Sequence, residues 1–324
     1  MDIKAFIYHK RAEKYCDCQD YFGIAFQNNR IAVSDGMSQS IFPQWWAKIL
    51  VDAFLETGEI PYCNIMPYQQ QWQKMVRTEI TKQESEGKNP WLLRDMFAER
   101  SGAGATLCGF TWNEKGWECQ CLGDSSLIKV SSDNSIEIIT SQSGQFDNHP
   151  DYLDSFNDGR GQPIEKYGNF DLKAILIVTD PFAELFQIHQ DDSRFISERL
   201  KEIRNLSDHN SFVSLVEDWR DLYNMHNDDS TLVYLDSFSE RKINKLKIDN
   251  INDLIYSENN SSFEIKNTNI EHHTIETIES DFSKLINVFL SNGVKMSLII
   301  SCLHNLWEKL SSENKCKKRK KSKK

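Results

Sequence analysis

The sequence predicts an α+β protein, a four-layer α-β-β-α sandwich of two mainly antiparallel sheets flanked by helices, with a C-terminal helical segment and a basic tail. Two observations predict it. Elements follow one another as helix pair, run of strands, buried strand, helix pair and closing strand, which is not the strict alternation of a doubly wound parallel sheet. The 324 residues are 39% hydrophobic and 11% aromatic, enough for a sizeable core.

Each element has a local cause. YFGIAFQNNRIAVS at 21–34 is two apolar runs around Gln27-Asn28-Asn29-Arg30, a hairpin signal because Asn tolerates positive φ. QWWAKILVDAF then places Trp46, Ile49, Leu50, Ala53 and Phe54 at helical spacing. A second helix is expected at about 68–86, on Trp72, Met75, Val76, Ile80 and Gln83, and a short one at 90–99. After Ser101 the period shortens to that of strands: GAGATLCGFTW, WECQCLG, SLIKV and SIEIIT form an antiparallel meander. A Gly/Asp/Asn-rich loop covers 141–170, and AILIVT at 174–179 reads as a buried central strand. Asp180-Pro181 suits an N-cap and first helical position before FAELFQI. Helical spacing returns through Phe195, Leu200 and Ile203, then Phe212, Val216, Trp219 and Tyr223, before the strand TLVYL at 231–235.

The sandwich is expected to end near residue 238. Residues 239–280 are rich in Asn, Ser, Lys and Glu and read as a polar linker with at most local helix. An amphipathic helical segment spans 281–310, too polar for a membrane span, and 311–324 reads as a disordered basic tail. The net charge of −10 includes eight Lys or Arg in the last ten residues, so the rest of the chain carries −18. Such a body repels phosphate backbones within a Debye length of roughly 8 Å, which argues against specific nucleic-acid binding. The basic residues of 315–324 suit an anionic membrane surface or an acidic partner protein. The N-terminus lacks an apolar signal region, and eight cysteines fit a reducing compartment; the expected location is cytoplasmic, peripheral to the membrane if the tail binds it.

Candidate chemistry lies in aspartates at strand ends: Asp20 before a strand, Asp35 after IAVS, Asp124 after CQCLG, Asp180 after ILIVT and Asp228 before STLVYL. Taken singly, each suits a cap or a turn. Together, carboxylates without His or Cys suit hard divalent cations, which prefer oxygen ligands. Cys16-x-Cys18 and Cys119-x-Cys121 are spaced too tightly for structural zinc, and alternation along a strand would place each pair on one core face. No phosphate-loop cysteine and no Gly-rich Lys-Ser/Thr nucleotide loop occurs.

The pieces CQD at 18–20, VSDG at 33–36, GAGAT at 102–106, LGDSS at 122–126, LIVTD at 176–180 and DDST at 228–231 resemble, in order and spacing, the motifs of the metal-dependent protein phosphatase (PPM) family, type 2C. The Cys-Gln-Asp version is most similar to bacterial members. The resemblance spans about residues 10–236. It implies two Mn²⁺ or Mg²⁺ ions bridged by Asp35, with the Gly36 carbonyl as a further ligand and Asp180 and Asp228 holding one ion. Asp20 would orient metal-bound water, and Asp124 with Asp180 would hold a third, weaker ion. It further implies hydrolysis of phosphoserine or phosphothreonine in proteins by a hydroxide shared between the two ions, opposing a Ser/Thr kinase. The chain departs from the family at Gln19, Met37, Ser38, Gln39, Pro181 and Asp229, and Tyr15 stands at the phosphate-binding arginine, for which Lys10, Arg11 or Lys14 are substitutes. The alternative those departures imply is a regulatory phosphoprotein-binding module without turnover.

Overall fold

The structure is a computed structural model, and it describes residues 1–38, 40–142, 150–236, 238 and 244–268, with side chains left out at Leu246 and 260–268. The chain divides into two compact units, Met1–Glu258 and Asn259–Lys324. The segments 281–310 and 311–324, with their helical and basic-tail readings, lie outside the described residues. Among the described residues no helix is long and apolar enough to cross a membrane.

In chain order the strands are β1 (Asp2–Tyr8), β2 (Tyr21–Ala25) and β3 (Arg30–Ser34), followed by α1 (Pro43–Thr57), α2 (Met66–Ser85) and α3 (Trp91–Ala98). Next come β4 (Gly104–Ala105), β5 (Leu107–Asn113), β6 (Gly116–Leu122), β7 (Ser126–Val130), β8 (Ile136–Ile139), β9 (Leu153–Asp154), β10 (Ile164–Gly168) and β11 (Ala174–Val178). The unit closes with α4 (Asp180–Ile188), α5 (Ser193–Arg204), α6 (His209–Tyr223), β12 (Ser230–Asp236), β13 (Asn244–Ile248) and the start of α7 (Ile251–Thr268).

One sheet runs β13-β1-β12-β11-β7-β8 and the other β10-β6-β5-β3-β2. Every pairing is antiparallel except β1 with β13. Strand alternation sorts side chains into three cores. Ile175 and Ile177 of β11 meet Val33, Cys108 and Phe110 between the sheets. Leu176 and Val178 face outward onto Phe182, Phe186, Phe212 and Trp219 of α4 and α6. On the other sheet, Ala32 and Leu107 face Trp46, Leu50 and Phe54 of α1, with Trp72 of α2 behind. The four layers expected from the sequence are therefore present.

Glycine at 109 decides how closely α1 lies on its sheet. A Cβ there would meet the Phe54 ring at 2.1 Å. Gly109→Ala is expected to cost about 3 kcal/mol, the upper range of overpacking, read as a lower urea midpoint at unchanged slope; no loss would show that α1 moves away freely.

Four details differ from the sequence reading. Residues 2–8 form β1, a central strand. Within the 141–170 loop, β9 and β10 form short pairings. Within 239–280, read as linker, β13 adds a parallel edge to the first sheet and α7 begins at Ile251. The helix after β11 is capped by Thr179, with Asp180 and Pro181 as its first residues.

Candidate active site

The candidate aspartates adjoin strand ends of both sheets. Asp20 precedes β2, Asp35 follows β3 and Asp124 follows β6, all on the second sheet; Asp180 follows β11 and Asp228 precedes β12, both on the first. Burial raises the carboxyl of Asp35 well above the ordinary range, and Asp20, Asp180, Asp124 and Asp228 then add repulsion in that order. Each of the four is thus near enough to Asp35 to act on its carboxylate. No three of them have oxygens mutually within 4.8 Å, an open spacing consistent with like charges facing one another.

The supporting contacts explain the flanking motifs. Asp20 Oδ2 accepts from Thr231 Oγ1 at 2.7 Å and Thr179 Oγ1 at 3.0 Å, linking β12 and β11 beneath it. Asp20 Oδ1 is buried without a hydrogen bond. Burial, together with Asp229, holds the Asp20 carboxyl well above its usual range despite those two donors. Thr106, the end of GAGAT, donates its backbone N–H to the Asp35 carbonyl at 2.9 Å, while its Oγ1 accepts from Asp35 N at 3.2 Å. The same Oγ1 lies 2.6 Å from Ser125 Oγ of LGDSS. Small-residue and G-D-S segments thus act as the frame of Asp35.

Gly36 sits where the chain leaves β3 and turns toward α1. Its N–H donates to the Gln19 carbonyl at 3.2 Å, and a Cβ would lie 2.8 Å from that oxygen and from Pro43. Only glycine admits this close approach without displacement. Met37 N donates to Gly104 O at 2.9 Å, and Ser38 Oγ donates to Gln19 Oε1 at 2.9 Å, so the altered loop is tied to the first motif.

The DDST pair divides its work. Asp229 is buried and accepts from Lys10 N at 2.9 Å and Gln19 N at 2.6 Å, fixing the segment that carries Asp20. Asp228 is half-exposed, with Lys10 Nζ 3.6 Å away. Of the three substitutes for the missing arginine, Lys10 has its ammonium beside Asp228. Arg11 is engaged with Glu217 and Asp221 at 2.5 and 2.6 Å. Tyr15 donates to or accepts from His209 Nε2 at 2.6 Å, and His209 Nδ1 meets the buried Asp249 at 2.7 Å.

His226 was not singled out by the sequence. Its Nδ1 lies 3.9 Å from Asp180 Oδ2. The contact with Asp180 raises the imidazole above its ordinary value, and the imidazole in turn opposes the rise that burial imposes on Asp180. Its position two residues before Asp228 was the only signal, since no motif includes it. The cysteines differ from expectation. Cys119 and Cys121 do share the inter-sheet face, joined by Cys108 at Sγ separations of 3.3 to 3.8 Å, but Cys16 is exposed while Cys18 is buried in a turn. No zinc set combines the two pairs among the described residues.

No family model matches the sequence, and no curated protein matches it. Solved structures do. A bacterial serine phosphatase is similar over 72% of this chain and 96% of its own, at a TM-score of 0.46 and 15% identity. Serine/threonine phosphatase Stp1 from Staphylococcus aureus gives 72% and 94%, 0.47 and 15%. The catalytic domain of serine threonine protein phosphatase PstP in complex with two manganese ions gives 72% and 96%, 0.44 and 12%. The solved structures this chain is similar to are thus bacterial members of the metal-dependent protein phosphatase family, type 2C, the family its motifs resemble.

Proposed function

We propose that the chain is a metal-dependent phosphatase acting on phosphoserine or phosphothreonine in proteins. The observation that carries this reading is that Asp20, Asp180, Asp124 and Asp228, from strand ends of both sheets, all act on Asp35, while burial and neighbouring carboxylates oppose the ionisation of Asp20, Asp35 and Asp180. Such a set is unfavourable alone and favourable around divalent cations. The donor chemistry suits them: oxygen ligands only, the Gly36 carbonyl beside Asp35, and an unsatisfied Asp20 oxygen. Asp35, Gly36, Asp180 and Asp228 would hold two Mn²⁺ or Mg²⁺ ions, and Asp124 with Asp180 a third.

When bound, the ions supply an activated water and neutralise phosphoryl charge. The chain's own part is orientation. Asp20, held by Thr179 and Thr231, would orient that water through its free oxygen. Lys10, beside Asp228, offers a cation for a phosphoryl oxygen. Asp229 fixes the Lys10 and Gln19 backbones, keeping both groups in register. The Lys10 position also speaks against the binding-only alternative, because the charge missing at Tyr15 is replaced from the same segment.

Phosphate release from a phosphothreonine peptide tests the reading. Release is expected with added Mn²⁺ and is expected to disappear with excess chelator. Turnover unaffected by chelator would remove the proposed chemistry, and tight peptide binding without release at any Mn²⁺ concentration would establish the binding module instead.

A further inference from the structure

A groove of about 500 Å³ opens beside the candidate site. Gln19, whose main chain bonds Gly36 and Asp229, lines it, so the groove reaches the candidate site. Its lining includes Ile41, Phe42 and Pro43 at the start of α1 and Leu92, Leu93 and Met96 of α3, together with Glu13 and Asp17. Leu92 is 55% exposed, and Trp91 next to it 58%, which is unusual for adjacent large apolar residues on a short helix. Phe42 stacks on Trp45 at 3.9 Å between ring centroids, so this part of the lining is held rigid. Asp17 is exposed, while Glu13 already has Lys10 at 3.5 Å.

A groove lined by apolar and acidic residues and reaching Gln19 beside the candidate site has complementarity for a peptide rather than for a small ester. Resting on the phosphatase reading, we propose that this groove receives the stretch of a phosphoprotein flanking the phosphorylated residue, taking an apolar side chain against Leu92 and a basic one beside Asp17. Leucine-sized side chains fit the volume, and burying one against an already rigid lining incurs little ordering cost. A lysine or arginine opposite Asp17 gains steering and register from the acidic residues. Substrates would therefore be selected by sequence near the phosphate as well as by the phosphate.

The test compares two fluorescent phosphothreonine peptides, one with Leu and Arg within three residues of the phosphothreonine, the other with Ser and Glu there. Mn²⁺-dependent kcat/KM is expected to favour the first roughly tenfold, as burial of one apolar side chain predicts. Leu92→Ser is expected to remove most of the preference for Leu, and Asp17→Lys to reverse that for Arg, with p-nitrophenyl phosphate hydrolysis unchanged. Hydrolysis of p-nitrophenyl phosphate with equal use of both peptides overturns the groove and leaves the phosphatase reading standing. If no ester is hydrolysed, that reading fails, and peptide affinity by fluorescence anisotropy still decides the groove: equal affinities overturn it. A rise in peptide turnover when residues 311–324 are deleted would assign the groove to the chain's own basic end and also overturn the proposal.

Discussion

Replacing Asp35 by asparagine is expected to reduce Mn²⁺-dependent phosphate release by about a thousandfold and, in the same protein, to raise the melting temperature without metal. Both effects come from one cause. The Asp35 carboxyl is pushed well above its usual range by burial and then by Asp20, Asp180, Asp124 and Asp228. A carboxyl whose folded pKa exceeds its unfolded one contributes stability that is complete below the unfolded value and is lost as pH rises through the folded value. Near neutrality the metal-free fold therefore carries the cost either of an unfavourable charge or of taking up the proton that removes it, and asparagine removes both while keeping the shape. A gain of about 1 kcal/mol corresponds to about 2–4 °C for a unit of this size. Added Mn²⁺ should stabilise the unmodified protein by about 2.7 kcal/mol at a hundred times its dissociation constant and the variant far less. Thermal melts with chelator and with Mn²⁺ measure both signs at once. A variant that melts lower without metal and is still stabilised normally by Mn²⁺ would mean that Asp35 is a structural residue.

What could be read from the sequence and what could not follow a physical division. The candidate aspartates were legible because each adjoins an apolar strand, and strand ends have few places to send a short polar side chain. The buried β11 was legible because all five of its residues are apolar. β1 was not, because Lys4 interrupts it; in the structure that lysine is buried and donates to the carbonyls of Arg204 at 2.5 Å and Leu206 at 2.7 Å, beyond the turns of α5. Composition marks a charge as exposed, and only the partner two hundred residues away reverses that. Lys10 stood as one of three candidates and His226 was not singled out for a related reason: each acquires its role from a carboxylate brought close by the fold. Asp229 read as one of the departures from the family's motifs, yet it accepts from the Gln19 backbone and holds that segment.

The boundary at 238 was the largest misreading, and cutting there has the second large expected effect. A chain ending at residue 238 is expected to melt at least about 10 °C below one ending at residue 268 and to aggregate. Removing β13 turns β1 into an edge, exposing unpaired backbone groups from Asp2 to Ala5. Asp249 leaves with it, stranding two donors that it accepts from, the Ile7 backbone at 3.3 Å and the His209 ring at 2.7 Å. A buried donor without its acceptor costs about 1–3 kcal/mol, and Tyr15 N loses Glu258 at 3.1 Å as well. About 5 kcal/mol in total is more than 10 °C at this size. The loss also reaches the candidate site, because Tyr15 is held by His209 and lies in the segment that carries Cys18, Gln19 and Asp20. Phosphate release at 25 °C by the shorter chain should therefore fall before the fold is lost. A 1–238 fragment melting within about 2 °C of the chain ending at residue 268, with full activity, would show that β13 and Asp249 are accessories rather than part of the sheet that shapes the site.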